Sequence, residues 1–368
     1  MTQALQVFAG PRALAHLRER GLAPGDVRVI PGAAGGPKGL ALNPLDRYLF
    51  GHWLPTSTQT VHLVGASIGA WRLGCACLPD ADAALAELAE DYITQRYEHA
   101  PGRPPSKRQI SQSFARVVER RLGARAAEVL AHPRLRLHVF TSRGRHLLGR
   151  EGRWRTPAGY LGAFVANAAS RHALGGWLER VVFSDPRDPL PLPLADFRSR
   201  RAELTVANLS TAILASCSIP FWLDAVHDVP GGPRGAYWDG GITDYHLHLN
   251  YAAMDEGAVP GWRGGPGIVL YPHFQRQIVP GWLDKAWTRR HRATPSLSNV
   301  VVLAPHPDWV RTLPGAKLPD RSDFKAWGED VEGRMRAWRR ALAESQRLAD
   351  EFAQRLAQGR PIEALPLR

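Results

Sequence analysis

Gly65-Ala66-Ser67-Ile68-Gly69 is a G-x-S-x-G sequence, and that spacing has a physical cause. A serine on a sharp strand-to-helix turn adopts a strained backbone, and bulky neighbours would clash there. Glycines two residues before and two after relieve the crowding, so Gly65 and Gly69 support Ser67 as a nucleophile. The helix that follows directs its N-terminus at the serine and favours developing negative charge. Such a nucleophile needs a base and a site for an oxyanion. Backbone N–H groups of Gly35, Gly36 and Gly39 can approach an oxyanion closely, because no side chains intervene. A phosphate-binding loop is the other reading of this stretch. It lacks G-x-x-x-x-G-K-[ST], since Gly39 follows Lys38, and it lacks G-x-G-x-x-G, since Ala34 stands at the first position. Asp239-Gly240-Gly241 supplies a candidate base. Read alone it is a simple turn; Tyr237 and Trp238 beside it would bury the carboxylate and raise its basicity.

These residues need a scaffold, and the chain has one. Val27 to Ile30 alternates as a short strand that ends at Pro31-Gly32, and Leu40, Leu42, Leu45, Leu49 and Phe50 follow the glycine loop at helical spacing. Thr60 to Val64 reads as a buried strand, Gly65 to Gly69 as a tight turn and Ala70 to Cys77 as a helix start. Two strand-turn-helix units within 80 residues predict an α/β fold, a mostly parallel sheet flanked by helices. Residues 81–99 and 106–131 read as helices separated by Pro101, Pro104 and Pro105. Leu135 to Thr141, Val181 to Phe183, Ala236 to Trp238, Gly267 to Tyr271 and Val300 to Leu303 read as strands. Thr205 to Ser216 reads as a helix. Four prolines exclude regular structure from 185–193. Over 321–358 an apolar stripe through Phe324, Trp327, Val331, Met335, Trp338 and Leu342 predicts one long amphipathic helix. Two regions are therefore expected: residues 1–320 as the α/β unit and 321–368 as a helical addition packed on or beside it. Val259-Pro-Gly-Trp262 recurs as Val279-Pro-Gly-Trp282, which we read as coincidence between loops.

With 44% hydrophobic and 22% charged residues, the 368-residue chain has ample material for a core and is not a disordered one. Three cysteines exclude a disulfide scaffold and fit a reducing compartment. Cys75-x-Cys77 finds no partners that would complete a metal site, and no cofactor or metal is expected. No secretory signal and no apolar run long enough to cross a bilayer is evident, so a cytoplasmic protein is expected, in the role of a peripheral membrane binder if it meets lipid. The net charge of +13 suits an anionic surface, phospholipid or nucleic acid, and is equally what an arginine-biased genome would produce. Trp282, Leu283 and Trp287 interleave with Lys285, Arg289, Arg290 and Arg292. Rings and cations in that order suit a headgroup interface, and also a packed segment with a solvated basic end.

A glycine-rich loop, then G-x-S-x-G, then Ala215-Ser216-Cys217-Ser218-Ile219-Pro220, then Asp-Gly-Gly resembles the motif order of the patatin-like phospholipases, over roughly residues 27–245. The resemblance implies a patatin-like three-layer α/β/α fold with a C-terminal helical addition. It implies a serine lipid acyl hydrolase of phospholipase A, lysophospholipase or carboxylesterase type, working through an acyl-enzyme. Ser67 would be the nucleophile, and Asp239 would take its proton directly and later activate water. Gly35, Gly36, Lys38 and Gly39 would form the oxyanion loop, with Lys38 at the family's Arg or Lys position. Ala34 departs from the loop's first glycine, and Pro37 has no N–H to donate, so Gly36 or Lys38 must serve. The substrate would be a phospholipid or another acyl ester, with lipid favoured over nucleic acid as the partner. Two other readings stand beside this one. A Ser-Asp-His triad could draw on His246, His248, His273, His291 or His306, all of which follow Asp239. A catalytically weak scaffold could use the basic surface on membranes or nucleic acid.

Overall fold

A computed structural model describes residues 2–97, 105–256, 267–358 and 361–368. Eleven strands form one sheet among them: β1 (Leu5–Ala9), β2 (Val27–Gly32), β3 (Val61–Ala66), β4 (Leu135–Gly144), β5 (Leu178–Ser184), β6 (Ser199–Glu203), β7 (Val226–His227), β8 (Ala236–Trp238), β9 (Ile268–Pro272), β10 (Val300–Pro305) and β11 (Leu365–Pro366). The main path runs β11-β1-β10-β9-β2-β3-β4-β5-β6, with β8 on β4 and β7 on β8. Only the β1–β10 and β4–β5 pairings along that path are antiparallel. The fold is thus a mostly parallel sheet with helices on its faces, as expected. Central strands read as unbroken apolar runs because both faces are covered. Every residue of β3, β9 and β10 is buried.

Parallel neighbours β2 and β3 end side by side, with Gly32 opposite Gly65. This register sets the glycine loop and the serine turn next to each other, at the C-terminal ends of adjacent strands. The helix Ile68–Ala76 then folds back over the sheet. Arg72 fastens it to the helix Asn43–Tyr48 through a buried two-pronged pair with Asp46, both contacts at 2.7 Å.

Several expected boundaries are corrected. Residues 106–131 break into the helices Lys107–Val118 and Ala126–Ala131, with a wider turn over Glu119–Gly123 between them. The helix of 81–99 closes at Ile93, and Pro101 and Pro104 lie outside the described residues, as does Val259-Pro-Gly-Trp262. The long C-terminal helix is three: Ser322–Trp327, Val331–Glu344 and Gln346–Ala357. Gly328 turns the chain at φ +51°, and Asp330 caps the next helix by accepting from the Gly333 N–H at 2.7 Å. The last helix packs Phe352 edge-on against Trp53 and Tyr48, with centroids 5.7 and 6.3 Å away. β11 then joins the sheet beside β1.

Candidate active site

Ser67 sits between β3 and the helix Ile68–Ala76 with φ 55° and ψ −130°, a conformation side chains rarely adopt. The flanking glycines are there for space. A Cβ on Gly69 would lie 1.8 Å from the Gly32 carbonyl oxygen, and one on Gly65 would lie 2.5 Å from Ala70 Cα. The Ser67 carbonyl accepts from the Ala70 N–H at 2.9 Å and so starts the helix. Its N–H donates to Ser216 Oγ at 2.8 Å, and Ser216 Oγ donates to the Phe140 carbonyl at 2.7 Å. Ser216 thereby ties the turn to β4.

Asp239 follows β8 at the start of the short helix Gly241–Asp244. Ser67 Oγ donates to Asp239 Oδ2 at 2.6 Å, and the Gly241 N–H donates to Oδ1 at 2.7 Å. Both groups are buried, at 3% and 6% exposure. Burial raises the Asp239 pKa above the usual carboxylate value. The hydrogen bond from Ser67, the positive charge of Arg321, the Gly241 N–H and the charge of Lys285 pull it back in part. Gly240 admits no side chain, because a Cβ would lie 2.0 Å from the Phe140 carbonyl oxygen. Behind the site, Ser142 Oγ donates to the Asp239 carbonyl at 2.9 Å. Buried Arg180 grips Asp244 at 2.8 and 2.5 Å and so anchors the far end of the short helix.

The glycine loop divides its work. Gly36 has φ +57° and faces the same cavity as Ser67. The N–H groups of Gly35 and Gly36 find no acceptor among the described residues, so they remain available as donors. Gly39 instead packs on the serine helix, where a Cβ would lie 3.1 Å from Ile68. The Lys38 side chain points to a second cavity, with Nζ 5.1 Å from the centre of the Phe274 ring.

Two cavities flank the pair. The larger, about 590 Å³, is mostly apolar and is lined by Ser67, Trp71, Tyr92, Phe114 and Trp222 among others. The smaller, about 220 Å³, contains Asp239, Lys38, Lys285, Trp282 and Arg321. Arg321 and Ile219 line both.

None of the five histidines after Asp239 hydrogen-bonds to Ser67 or Asp239. His246 Nδ1 meets the Gln277 carbonyl and the Val279 N–H, and His273 Nδ1 meets the Gln275 carbonyl. His248 contacts Thr294, His291 meets the Asp284 carbonyl, and His306 accepts from the Asp308 N–H.

A family model described as patatin-like phospholipase matches residues 54–246, a span that holds Ser67, Ser216 and Asp239. The chain belongs to the patatin-like phospholipase family. Lipid acyl hydrolysis is the general activity of a patatin-like phospholipase, and the buried serine–aspartate contact lies inside the matched span. The chain is also similar to VipD from Legionella pneumophila, whose crystal structure aligns with a TM-score of 0.37 and 11% identity. That alignment covers 95% of this chain and 70% of VipD. No curated protein matches the sequence.

Within this patatin-like chain, sequence reasoning missed the tether made by Ser216 and the arginine at 321. Ser216 carried a signal, its place in the Ala-Ser-x-x-x-Pro segment. Arg321 carried none; it is one of 47 basic residues and reaches the site only through the fold. The basic aromatic segment splits in two. Trp282 and Lys285 line the smaller cavity, whereas Arg290 pairs with buried Asp284 at 2.7 Å.

Proposed function

We propose that this patatin-like protein cleaves acyl esters, of phospholipase A or lysophospholipase type, through a Ser67–Asp239 dyad. Ser67 Oγ attacks the ester carbonyl while its proton passes to Asp239 Oδ2. The N–H groups of Gly35 and Gly36 receive the oxyanion of the tetrahedral intermediate. Asp239 returns that proton to the departing alkoxide as the intermediate collapses, which expels the alcohol, leaves an acyl group on Ser67 and restores the carboxylate. The carboxylate then takes a proton from water as the water oxygen attacks the acyl carbonyl, and hands it to Ser67 Oγ as the bond to the serine breaks and the fatty acid leaves. The observation that carries this reading is the 2.6 Å contact from Ser67 Oγ to Asp239 Oδ2, with no histidine among the described residues bonded to either. Burial makes the aspartate a stronger base than a solvated one. The apolar 590 Å³ cavity suits the acyl chain.

The same proposal puts the protein at a membrane surface. Trp154, Leu161, Phe164 and Val165 are exposed on or next to the helix Arg155–Ala169. Tyr160 of that helix meets exposed Phe221 at 5.7 Å, and the neighbouring Trp222, 56% exposed, lines the larger cavity. Tyr160 and Phe221 thus link this helix to Trp222 at the acyl cavity, which supports a lipid-facing role for its exposed apolar residues. No helix among the described residues is long and apolar enough to cross a membrane. A fluorophosphonate probe with a fluorogenic short-chain ester tests the chemistry. Labelling at Ser67 with loss of turnover in folded Ser67→Ala is expected; full turnover without Ser67 refutes the proposal.

A further inference from the structure

Three cations line the smaller cavity: Lys38 from the glycine loop, Lys285 next to the turn Trp282–Asp284, and Arg321 just before the helix Ser322–Trp327. None of them forms an ion pair with a carboxylate among the described residues. The two acids in the same lining are committed elsewhere. Asp239 accepts from Ser67 and Gly241, and Asp320 pairs with Lys317 at 2.7 Å and accepts from Ser322. Aromatic faces stand where counterions would. Lys285 Nζ lies 4.2 Å from the Tyr245 ring centre and 5.7 Å from that of Trp282. Burial, Arg321 and Lys38 together push Lys285 down to about 8, and burial lowers Lys38 as well. Asp239 and Asp320 offset part of this charge at a distance but neither pairs with a cation of the lining, so three like charges remain gathered at a cost that a bound anion would offset.

Resting on the acyl-hydrolase reading, we propose that this cavity binds a phosphate monoester carried by the acyl ester, as in an acylated glycerol phosphate. Arg321, which lines both cavities, sets that anion next to the reacting centre. Lys285 and Lys38 supply point charges, and Arg321 supplies a planar fork for two phosphate oxygens. The cavity disfavours a choline or ethanolamine head, because Lys38, Lys285 and Arg321 repel its ammonium and Lys285 already occupies the Tyr245 and Trp282 faces that could cage it.

The test compares kcat/KM on three soluble esters with one short acyl chain: acylglycerol, acylglycerol phosphate and acylglycerophosphocholine. Wild type should prefer the phosphate monoester by at least tenfold over both others. Lys285→Gln and Arg321→Gln should bring that ratio towards one, and Lys285→Arg should largely keep it, with circular dichroism checking the fold of each. A wild-type ratio near one, or a ratio unmoved in both glutamine variants, overturns the subsite while leaving the hydrolase reading intact. If wild type turns over none of the esters and Ser67 resists the fluorophosphonate, the hydrolase reading fails instead. Calorimetric titration of wild type with glycerol 3-phosphate and inorganic phosphate then decides the subsite. Tighter binding of glycerol 3-phosphate that is lost in Lys285→Gln supports it. Equal binding of inorganic phosphate marks a free-anion site, and no binding of either removes it; both results overturn the headgroup assignment.

Discussion

Replacing Ser216 by alanine deletes a single hydroxyl that accepts from the Ser67 N–H and donates to the Phe140 carbonyl. Both contacts are buried, so the Ser67 N–H is left without a partner. An orphaned buried donor costs about 1–3 kcal/mol. A non-glycine residue held at positive φ carries strain of about 1–3 kcal/mol, so the Ser67 turn needs its tethers. With one tether gone, Oγ can drift from the Asp239 carboxylate. A misplacement of about 1 Å costs on the order of 10²-fold in rate. Ser216→Ala should therefore lose about 1–3 kcal/mol in urea denaturation. Its kcat on a soluble ester should fall by about 10–100-fold, with KM little changed. Ser218→Ala is the control, because Ser218 Oγ only back-bonds to the Leu214 carbonyl one turn earlier. A Ser216→Ala protein within about 0.5 kcal/mol and twofold of wild type in kcat would refute the tether argument.

Other outcomes follow from the same geometry. Gly69→Ala forces a methyl against the Gly32 carbonyl at 1.8 Å, backbone against backbone, and should destabilise by about 3 kcal/mol or more in thermal or urea melts. Asp239 must be ionised to act as a base and its pKa is raised, so activity should fall as pH drops through a point above the ordinary carboxylate value. Arg321→Gln removes a charge that lowers that pKa, and should move the acid limb of the kcat profile to higher pH. Phe164→Glu, on the exposed apolar helix face, should weaken turnover of vesicle lipid severalfold more than turnover of a soluble ester. Equal losses on both substrates would count against membrane docking there.

The parts of the site that depend on local sterics were legible in the residues themselves. Gly65 and Gly69 flank Ser67 because the turn leaves no room for side chains, and that constraint appears directly as spacing. Asp239 was legible only through the order of motifs, since Asp-Gly-Gly alone also describes an ordinary turn. The hydrophobic stripe of 321–358 hid the breaks at Gly328 and Ser345, because apolar periodicity runs on across capped helix ends. The edge strands β6 and β11 escaped notice because one is a largely exposed Ser-Arg-Arg-Ala-Glu run and the other is two exposed residues long, so neither carries an apolar strand pattern. The cations of the smaller cavity come from positions 38, 285 and 321, and only the tertiary fold assembles them.

The central claim is that Asp239, with no histidine, takes the proton from Ser67. It is tested most directly by kcat/KM of folded single variants on one soluble ester. Asp239→Asn keeps the shape and removes the base, so its rate should fall by about 10⁴-fold, the scale seen when a triad aspartate is lost. Alanine at His246, His248, His273, His291 or His306 should leave each variant within about tenfold of wild type, a barrier change of about 1.4 kcal/mol. One folded histidine variant as inactive as Ser67→Ala, or an Asp239→Asn protein within about tenfold of wild type, would contradict the dyad.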